Sequence, residues 1–217
     1  MKNITPEELE SNYKLHIKII DKYILDENRK QKIKDMIEAL GENYILSPTA
    51  GKTWYHGAYP GGYIIHVNNV VRIALSLMKQ YEKFGGTIDF TEEELVFSAL
   101  FHDLGKIGNG EKPNYIVQTD PWRRDKLQET YISNPEIDFM LVPDRSLYLL
   151  QRFGITVNQK EFLAIKLHDG LFDETNKPYY LSFNPDARLR SNIVPILHTA
   201  DFLASRLEFD TEQKTKE

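Results

Sequence analysis

The chain has no cysteine, and this absence limits its chemistry before any pattern is considered. Disulfide bonds and thiolate-bound metal centres are excluded, so a metal ion could be held only by His, Asp, Glu or water. Long apolar runs are also missing: the richest, from Val70 to Met78, contains Arg72 and Ser76 and falls short of the roughly 18 residues of a membrane span. The first residues, MKNITPEELE, lack an apolar segment, which predicts a cytoplasmic protein without a signal peptide.

An excess of basic charge is missing too. The 217 residues carry a formal net charge of −5, and the pI is about 5.7. An acidic chain disfavours a stable nucleic-acid duplex as partner, whereas a small anionic substrate needs only a locally positive pocket. Hydrophobic residues make up 41% and charged residues 27% of the sequence, which is typical of a globular protein and excludes wholesale disorder. The length predicts a single domain.

Helical periodicity covers most of the sequence and predicts a mainly α fold. Thr5 before Pro6, and the capping box of Thr91 and Glu94, are signals of helix starts. We predict helices from Pro6, from Asp26 to Gly41, over about 63–84, after Thr91, and over about 146–153, 159–167 and 193–209. Turn-rich sequence separates these helices at 47–62, 106–142 and 169–186. Within the middle stretch, residues 115–117 and 130–132 predict a small loop or β-hairpin insertion.

Histidine and carboxylate residues recur together along the chain. Three histidines have an aspartate beside them or one helical turn away: the pairs are His102–Asp103, His168–Asp169 and His198–Asp201. A further histidine, His66, lies on the first turn of the predicted long helix. Imidazole and carboxylate together suit Zn, Mn, Fe or Ni, and Mg where oxygen dominates. A single His–Asp pair is common by chance, so the joint pattern carries the prediction of a metal site.

The order of these residues resembles the HD-domain metal-dependent phosphohydrolase superfamily. The resemblance is carried by GGYIIH, which ends at His66, by HDLGK from His102, and by HTADFLAS from His198. Two longer stretches, SPTAGKTWYHGAYPGGYIIHVNNV and RSLYLLQRFGITVNQKEFLAIKLHDG, are similar to a branch of small bacterial and phage HD hydrolases. The similarity extends over about 47–209. The resemblance implies a helical bundle with a metal-centred cleft. It also implies a location in the bacterial cytoplasm or, for a phage protein, in the cytoplasm of the host cell.

The resemblance implies a set of metal ligands. His66, His102, Asp103 and Asp201 would hold the first divalent ion, and Asp103 would also bridge to a second ion or orient the attacking water. His168 lies where two-metal members of the superfamily bind the second ion; the alternatives are a substrate contact or a helix C-terminal cap. Related proteins often carry another histidine where this chain has LVPDRSLYLL, with Asp144 as a candidate oxygen ligand. The sequence therefore leaves open whether the site holds one divalent ion or two, and which metal it is (Mn, Fe, Ni, Co, Zn or Mg).

Other residues are candidates for catalysis and substrate binding. Lys106 would bind a phosphate as a compact point charge and take part in catalysis. His56, in the Tyr-His-Gly element, would touch the phosphate or act as a general acid. Arg145 is a further candidate for phosphate contact. Trp122 and Arg123 suit a nucleobase and its phosphate, the alternative being a solvated surface loop.

One histidine has a predicted supporting role. His198 lies one turn before Asp201 in the last predicted helix. We predict that it orients the Asp201 carboxylate and does not bind the metal directly.

The predicted function is a metal-dependent phosphohydrolase that uses a metal-activated water on a phosphate ester, with a nucleotide as the preferred substrate. The alternatives are a 3′–5′ exonuclease or other nuclease acting on short nucleic acid, and a catalytically inert HD module that binds a nucleotide. Residues 1–46 would form a helical segment that packs on the core, 47–210 the HD domain and 211–217 a frayed tail, all within one domain. No membrane partner is expected, and an oligomer stays compatible with the sequence.

Overall fold

The computed structural model describes residues 4–182, 184, 186 and 188–214. Its helices are α1 (Pro6–Tyr23), α2 (Glu27–Leu40), α3 (Glu42–Leu46), α4 (Gly62–Lys83), α5 (Glu92–Phe101), α6 (Pro121–Lys126), α7 (Val142–Arg152), α8 (Gln159–Leu167), α9 (Lys177–Tyr180) and α10 (Ile193–Lys214). Two short strands, β1 (Tyr115–Val117) and β2 (Tyr131–Ser133), form an antiparallel pair. The predicted mainly α fold class is confirmed.

Short-range signals explain where several helices begin. The Thr5 side chain accepts from the Glu8 amide, and the Glu8 carboxylate accepts from the Thr5 amide, so α1 opens with a capping box. Thr91 and Glu94 form the same motif at the start of α5. Asp26 Oδ1 accepts from the Arg29 amide over 2.7 Å and caps α2. These sequence-based predictions of helix starts are confirmed.

The core forms around the two long helices, α4 and α10, which pack against each other along one face. Helices α5 and α8 pack on this pair, and α1 packs on α4. The N-terminal helices contribute to the same core through Ile20, Ile33 and Met36, each 0% exposed. Residues 6–46 are therefore continuous with the main core. Among the described helices, none is long and apolar enough to cross a membrane.

A buried polar network fastens α1 to α4. His16 is fully buried, and its Nδ1 lies 3.0 Å from Asn68 Oδ1 while its Nε2 lies 2.7 Å from the Tyr44 hydroxyl. Asn68 Nδ2 in turn donates to the Asn12 carbonyl. Burial lowers the pKa of His16 to about 4, so the ring is neutral at pH 7. His16 therefore has a structural role.

Residues 107–141, which we call the arm, leave the helical body between α5 and α7. The arm holds the predicted hairpin, in which Tyr115 pairs with Ser133 and Ile116 with Ile132. It is fastened to the turn-rich segment 47–61, because the amides of Thr130 and Tyr131 both donate to the Gly51 carbonyl. The arm therefore lies against the segment that carries His56.

The structure differs from the predicted elements in a few places. Strand β2 begins one residue later than predicted, and α6 and α9 lie where loops were expected. Helix α3 lies within the predicted helical segment 1–46. Helix α7 begins at Val142 and not at 146, because Pro143 is well suited to the first turn of a helix.

Helix α10 runs to Lys214, so residues 211–214 of the predicted frayed tail are helical. Its last turn is tied down by Glu212, whose Oε1 accepts from the Gly57 amide over 3.1 Å. Residues 215–217, and positions 183 and 185 of the predicted loop 169–186, lie outside the described residues.

Candidate metal centre

Four helices bring the predicted metal ligands to one place. We call the group the His/Asp cluster, and its members are His66 of α4, His102 and Asp103 at the end of α5, His168 and Asp169 at the end of α8, and Asp201 of α10. The three imidazoles and Asp103 are at most 2% exposed. The five ligands that the resemblance implied, His168 included, thus lie together in the fold.

The hydrogen bonds at Nδ1 fix the chemistry of the three imidazoles. His102 Nδ1 lies 2.9 Å from the Ala99 carbonyl, and His168 Nδ1 lies 2.8 Å from the Ile165 carbonyl. His66 Nδ1 lies 3.1 Å from a carboxylate oxygen of Glu208. A carbonyl or carboxylate oxygen only accepts, so each Nδ1 carries the proton. In each neutral ring the lone pair is then on Nε2.

The Nε2 atoms face the carboxylates without hydrogen-bond geometry. His66 Nε2 lies 3.0 Å from Asp201 Oδ1, and His102 Nε2 lies 3.7 Å from the same oxygen. Both Nε2 atoms are buried, and neither has a hydrogen-bond partner within the described chain. With bonds of about 2.1 Å, adjacent ligands of a tetrahedral or octahedral ion lie about 3.0–3.4 Å apart. The 3.0 Å spacing lies in this range and the 3.7 Å spacing is 0.3 Å longer, so these atoms converge much as the ligands of one divalent cation do.

The cluster also offers a second group of ligands. Atoms of His168, Asp169 and Asp201 lie within 4.8 Å of one another, as do those of His102, Asp103 and His168. His168 Nε2 lies 3.6 Å from both Asp103 Oδ1 and Asp169 Oδ2. Asp103 and Asp201 therefore lie between His66 and His168, where each could serve two ions. Asp169, which was not predicted as a ligand, adds an oxygen donor on the His168 side.

Strong electrostatic coupling accompanies this burial. Burial alone would lower the pKa of His66, but Glu208 and Asp201 raise it to about 10. His168 behaves likewise: burial lowers its pKa, and Asp103 and Asp169 outweigh this effect and raise it to about 9. A proton would therefore compete with a metal ion for the nitrogen lone pairs of His66 and His168.

The carboxylates shift in the opposite direction. Burial raises the pKa of Asp103, but Lys106 and His102 hold it well below its usual range. Burial also raises the pKa of Asp201, and the imidazoles of His102 and His66 hold it far below its usual value. Both aspartates are therefore ionised, as a metal ligand must be.

Lys106 lies at the rim of the cluster, as the resemblance implied. Its Nζ lies 2.7 Å from Asp103 Oδ2, and its side chain is 18% exposed. Burial lowers its pKa, but Asp103 more than compensates and raises the pKa above the ordinary value. The ammonium is therefore charged and partly open to solvent beside the candidate ligands.

His56 adjoins the cluster on the side of His66. The two rings are 4.8 Å apart between centroids, and His56 Nε2 is buried without a hydrogen-bond partner among the described residues. Burial, followed by the charges of His66 and Lys106, lowers the pKa of His56 to about 4. A ring that is neutral at pH 7 does not fit the predicted general acid as an imidazolium. Its position still suits a hydrogen bond to a bound phosphate.

A glycine pair holds the His56 turn against α4. A Cβ atom on Gly62 would lie only 2.1 Å from the Gly57 carbonyl oxygen, so the two chain segments approach as closely as glycine permits. Gly57 itself has a φ of 65°. This close approach explains why the YHG and GG elements occur together in the sequence.

Glu208 was not predicted, although it is central to the site. It lies on α10 two turns after Asp201, is 7% exposed, and contacts His66. Asn69, one turn after His66 in α4, donates to its other carboxylate oxygen over 2.8 Å. The spacing from Asp201 along one face of a helix is the signal that could have identified it.

The structure gives Arg145 a role in the scaffold. Its Nη1 donates to the Gly105 carbonyl and to Asn114, and its Nη2 donates to the Asp138 carbonyl over 3.0 Å. The residue is 5% exposed. Its guanidinium thus joins the arm to the HDLGK turn. Because Nη1 and Nη2 already donate within the protein, few of its N–H groups are available for the predicted phosphate contact.

The neighbouring positions also have structural partners. The Asp144 carboxylate lies 2.6 Å from Lys166 Nζ and belongs to none of the metal-ligand groups found among the described residues. The Ser146 hydroxyl, in the same helix, donates to the His102 carbonyl over 2.8 Å. In the described structure, α7, which carries most of the LVPDRSLYLL sequence, therefore holds the main chain of the cluster in place.

Trp122, Arg123 and His198 occupy positions outside the cluster. Trp122 is 62% exposed on α6, and Arg123 Nε lies 2.6 Å from Glu129 within the arm. His198 Nδ1 lies 2.6 Å from the His168 carbonyl. His198 therefore supports the main chain at His168, whereas the sequence predicted support for Asp201.

Comparisons with protein-family models, with curated proteins and with solved structures find no match to this chain. The candidate function therefore rests on the residues of the site and on their geometry.

Proposed function

We propose that the protein is a metal-dependent phosphohydrolase of the HD-domain type that acts on a phosphate ester, with a nucleotide as substrate. The observation that carries this proposal is the convergence of buried Nε2 atoms and two ionised aspartates without hydrogen bonds between them. Such a donor set suits one or two divalent ions. When bound, the ion supplies Lewis acidity, which acidifies a coordinated water and offsets charge on a phosphoryl oxygen.

The residues around the cluster supply the rest of the proposed mechanism. Asp103 and Asp201 are ionised and lie between His66 and His168. There they would hold the ion or ions to which the substrate binds. Lys106 presents a charged ammonium at the rim and would bind an oxygen of the phosphate. His56, neutral and unpaired at Nε2, would hydrogen-bond the same group from the His66 side.

An exposed aromatic pair that follows two candidate ligands in sequence favours a nucleotide over a simple phosphate ester. Phe172 follows Asp169 by one 3₁₀ turn, and Phe202 follows Asp201 directly. Their rings are nearly parallel, at an angle of 14° with 6.5 Å between centroids, and are 80% and 46% exposed. Exposed aromatic rings next to a phosphate site suit the face of a nucleobase.

The N-terminal segment belongs to the helical body. Residues 6–46 are almost wholly helical and contribute to the main core. An oligonucleotide-binding domain of the OB type would need a five-stranded barrel, and the described residues contain one strand pair, β1 and β2. Nuclease activity on short nucleic acid is tested as the alternative to hydrolysis of monomers.

The proposal is tested with Mn²⁺-loaded protein on dNMPs, NTPs, cyclic dinucleotides, ribose 5-phosphate and short RNA, with Asp103→Ala as the inactive variant. We expect phosphate or pyrophosphate release from nucleotides, and loss of at least about a thousandfold of this activity in Asp103→Ala, because several kcal/mol of charge stabilisation depend on the ion. Bound Mn²⁺ is counted by metal analysis.

Asp35→Ala, which removes an exposed aspartate from α2, is the matched control and should keep wild-type activity. Shortening of RNA without hydrolysis of monomers would replace the proposal with a nuclease. Metal binding without turnover of any substrate would indicate an inert nucleotide-binding module. Full activity of Asp103→Ala would show that the assigned centre is wrong.

A further inference from the structure

We propose that Glu208 is a positioning residue that selects which nitrogen of His66 faces the metal centre; this role rests on the proposed centre and not on the reaction it performs. Nothing in the HD-like segments of the sequence marks Glu208, which lies beyond HTADFLAS. The role follows from three features of the described structure, which are the contact with His66, the anchoring of Glu208 itself and the contrast with the other imidazoles.

The first feature is the contact between Glu208 and His66. Glu208 Oε2 lies 3.1 Å from His66 Nδ1 in a buried environment. The ionised carboxylate only accepts hydrogen bonds, so the proton of a neutral His66 ring is held at Nδ1. The Nε2 lone pair is thereby directed to Asp201 and Asp103, at 3.0 and 3.6 Å. A carboxylate–histidine pair of this kind fixes both tautomer and ring orientation in metal sites.

The second feature is that Glu208 is itself held in place. Asn69 Nδ2 donates to Glu208 Oε1 over 2.8 Å, and Arg72 donates to Asn69 Oδ1 over 3.4 Å. Glu208 is 7% exposed, so water has little access to replace these partners. The contacts join α4 to α10 at the level of the centre. The carboxylate therefore presents one oxygen to His66 in a fixed direction.

The third feature is a difference among the candidate ligands. His102 and His168 stand at helix ends and direct Nδ1 to backbone carbonyls three residues earlier. His66 lies within α4 and, among the described imidazole ligands, is the one that takes its Nδ1 partner from a side chain. Mutation cannot remove a backbone carbonyl, but it can remove Glu208. A single substitution at Glu208 can therefore remove the contact that orients the His66 ring, whereas the corresponding contacts of His102 and His168 cannot be removed in this way.

The role is tested by Zn²⁺ affinity and by NMR of the Zn²⁺-loaded protein, neither of which requires catalysis. We expect Glu208→Ala to weaken Zn²⁺ binding about 10- to 100-fold, measured by competition with a chelator. Long-range ¹⁵N–¹H spectra should show wild-type His66 with a protonated Nδ1 and a metal-bound Nε2. In Glu208→Ala the same ring should lose its slowly exchanging Nδ1 proton and its single coordination mode.

Glu208→Gln distinguishes the effect of ring orientation from the effect of charge, because glutamine is neutral but keeps the volume and an oxygen acceptor. Since its volume is kept, this variant is also less prone to misfold than Glu208→Ala. It should keep the His66 tautomer and lose less affinity than Glu208→Ala. Asp210→Ala, which removes an exposed carboxylate from the same helix, should match wild type in both measurements.

Wild-type affinity together with an unchanged His66 spectrum in both Glu208 variants would overturn the positioning role. A wild-type protein that binds no Zn²⁺ would overturn the metal centre and this role together. Zn²⁺ binding that depends on Glu208, in a protein that hydrolyses none of the tested phosphates, would support the role while the proposed reaction fails.

Discussion

The histidines of this protein differ in the hydrogen-bond partners of their two ring nitrogens. His16 has a polar partner at each nitrogen, Asn68 and Tyr44, and is a structural residue. His66 and His102 have a partner at Nδ1 only, and their Nε2 atoms are buried without a hydrogen bond within the described chain. A buried polar atom without a partner destabilises the fold unless a ligand or ion satisfies it. The unpaired nitrogen therefore distinguishes a candidate ligand from a structural histidine.

At the same scale, Phe172 offers a test of substrate class. Phe172→Ala should raise KM for a nucleotide about tenfold or more, because stacking on a base contributes about 1–3 kcal/mol. The same variant should leave KM for ribose 5-phosphate nearly unchanged, since that substrate has no base. Both constants are measured by phosphate release.

The control for this variant is Phe84→Ala. Phe84 is 85% exposed and lies at the far end of α4 from His66, about 27 Å away along the helix. It should leave both constants unchanged. An equal change of KM for the two substrates in Phe172→Ala would contradict base stacking and indicate a role of Phe172 in shaping the centre.

The residues of the site were predictable to different degrees. His66, His102, Asp103, His168 and Asp201 could be chosen because a pattern of residue types in a fixed order marks them. Arg145 and Lys106 are both cations near the cluster, and sequence could not separate them. The structure does so, because the Arg145 guanidinium meets backbone carbonyls whereas the Lys106 ammonium meets Asp103. Such a distinction depends on the direction of a side chain in the folded core, which residue order does not contain.

Between elements, the HDLGK turn packs closely against α7 near the centre. Ser146 of α7 accepts from the Gly105 amide and donates to the His102 carbonyl, each over 2.8 Å. A Cβ atom on Gly105 would lie 2.3 Å from the Val142 carbonyl oxygen and 3.0 Å from Arg145 Cβ. The turn that carries His102 and Asp103 is thus fitted to the first turn of α7 without space for a larger residue.

Gly105→Ala should therefore destabilise the protein and displace the ligands. Overpacking of this kind costs about 1–3 kcal/mol, which corresponds to a fall in Tm of about 2–12 °C for a chain of this length. Metal affinity should fall as well, because the turn holds Asp103. Thermal unfolding and metal titration measure the two effects.

Gly86→Ala is the matched control for Gly105→Ala. Its Cβ atom would also meet a neighbour, at 2.3 Å, but that neighbour is the ring of Tyr81, which is 39% exposed and can rotate away. We expect a small change in Tm and no change in metal affinity. Equal effects of the two substitutions would show that the α7 junction is not specifically coupled to the centre.

Elements were predicted best where local chemistry decides them. The capping boxes of α1 and α5 involve residues three positions apart, and both are present. The last turn of α10 depends instead on Glu212 and its contact with Gly57, which are far apart in sequence. The predicted frayed tail from residue 211 was wrong for 211–214 because this long-range contact stabilises the helix end.

For the whole molecule, the centre joins parts of the chain that are distant in sequence. The candidate ligands come from α4, α5, α8 and α10, and these helices also enclose the core. A bound ion would therefore connect most of the fold. Any ligand that binds only the native state stabilises it, by about 2.7 kcal/mol when its concentration is 100 times Kd.

Protons would compete with a metal ion for the nitrogens of His66 and His168, and this competition predicts a pH dependence of metal binding. The pKa values of His66 and His168, about 10 and about 9, lie above the ordinary histidine value of 6.5. Their protonation stabilises the ion-free fold fully below about pH 6.5. That contribution is lost as the pH rises through the two folded values. Metal binding would displace these protons, so we expect affinity to rise with pH by about tenfold per pH unit for each proton displaced.

We therefore expect that Mn²⁺ raises the Tm of the protein, and that the gain is larger at pH 8 than at pH 6 at the same metal concentration. At 100 times Kd the gain should be about 5–10 °C. Asp201→Ala should abolish the gain, because it removes a carboxylate shared by two ligand groups, whereas Asp210→Ala, an exposed residue of the same helix, should retain it. Calorimetric scans with Mn²⁺ and with EDTA at both pH values provide the measurement. A gain that is equal at the two pH values, or larger at pH 6, would contradict proton displacement from His66 and His168, even if the ion binds elsewhere on the fold.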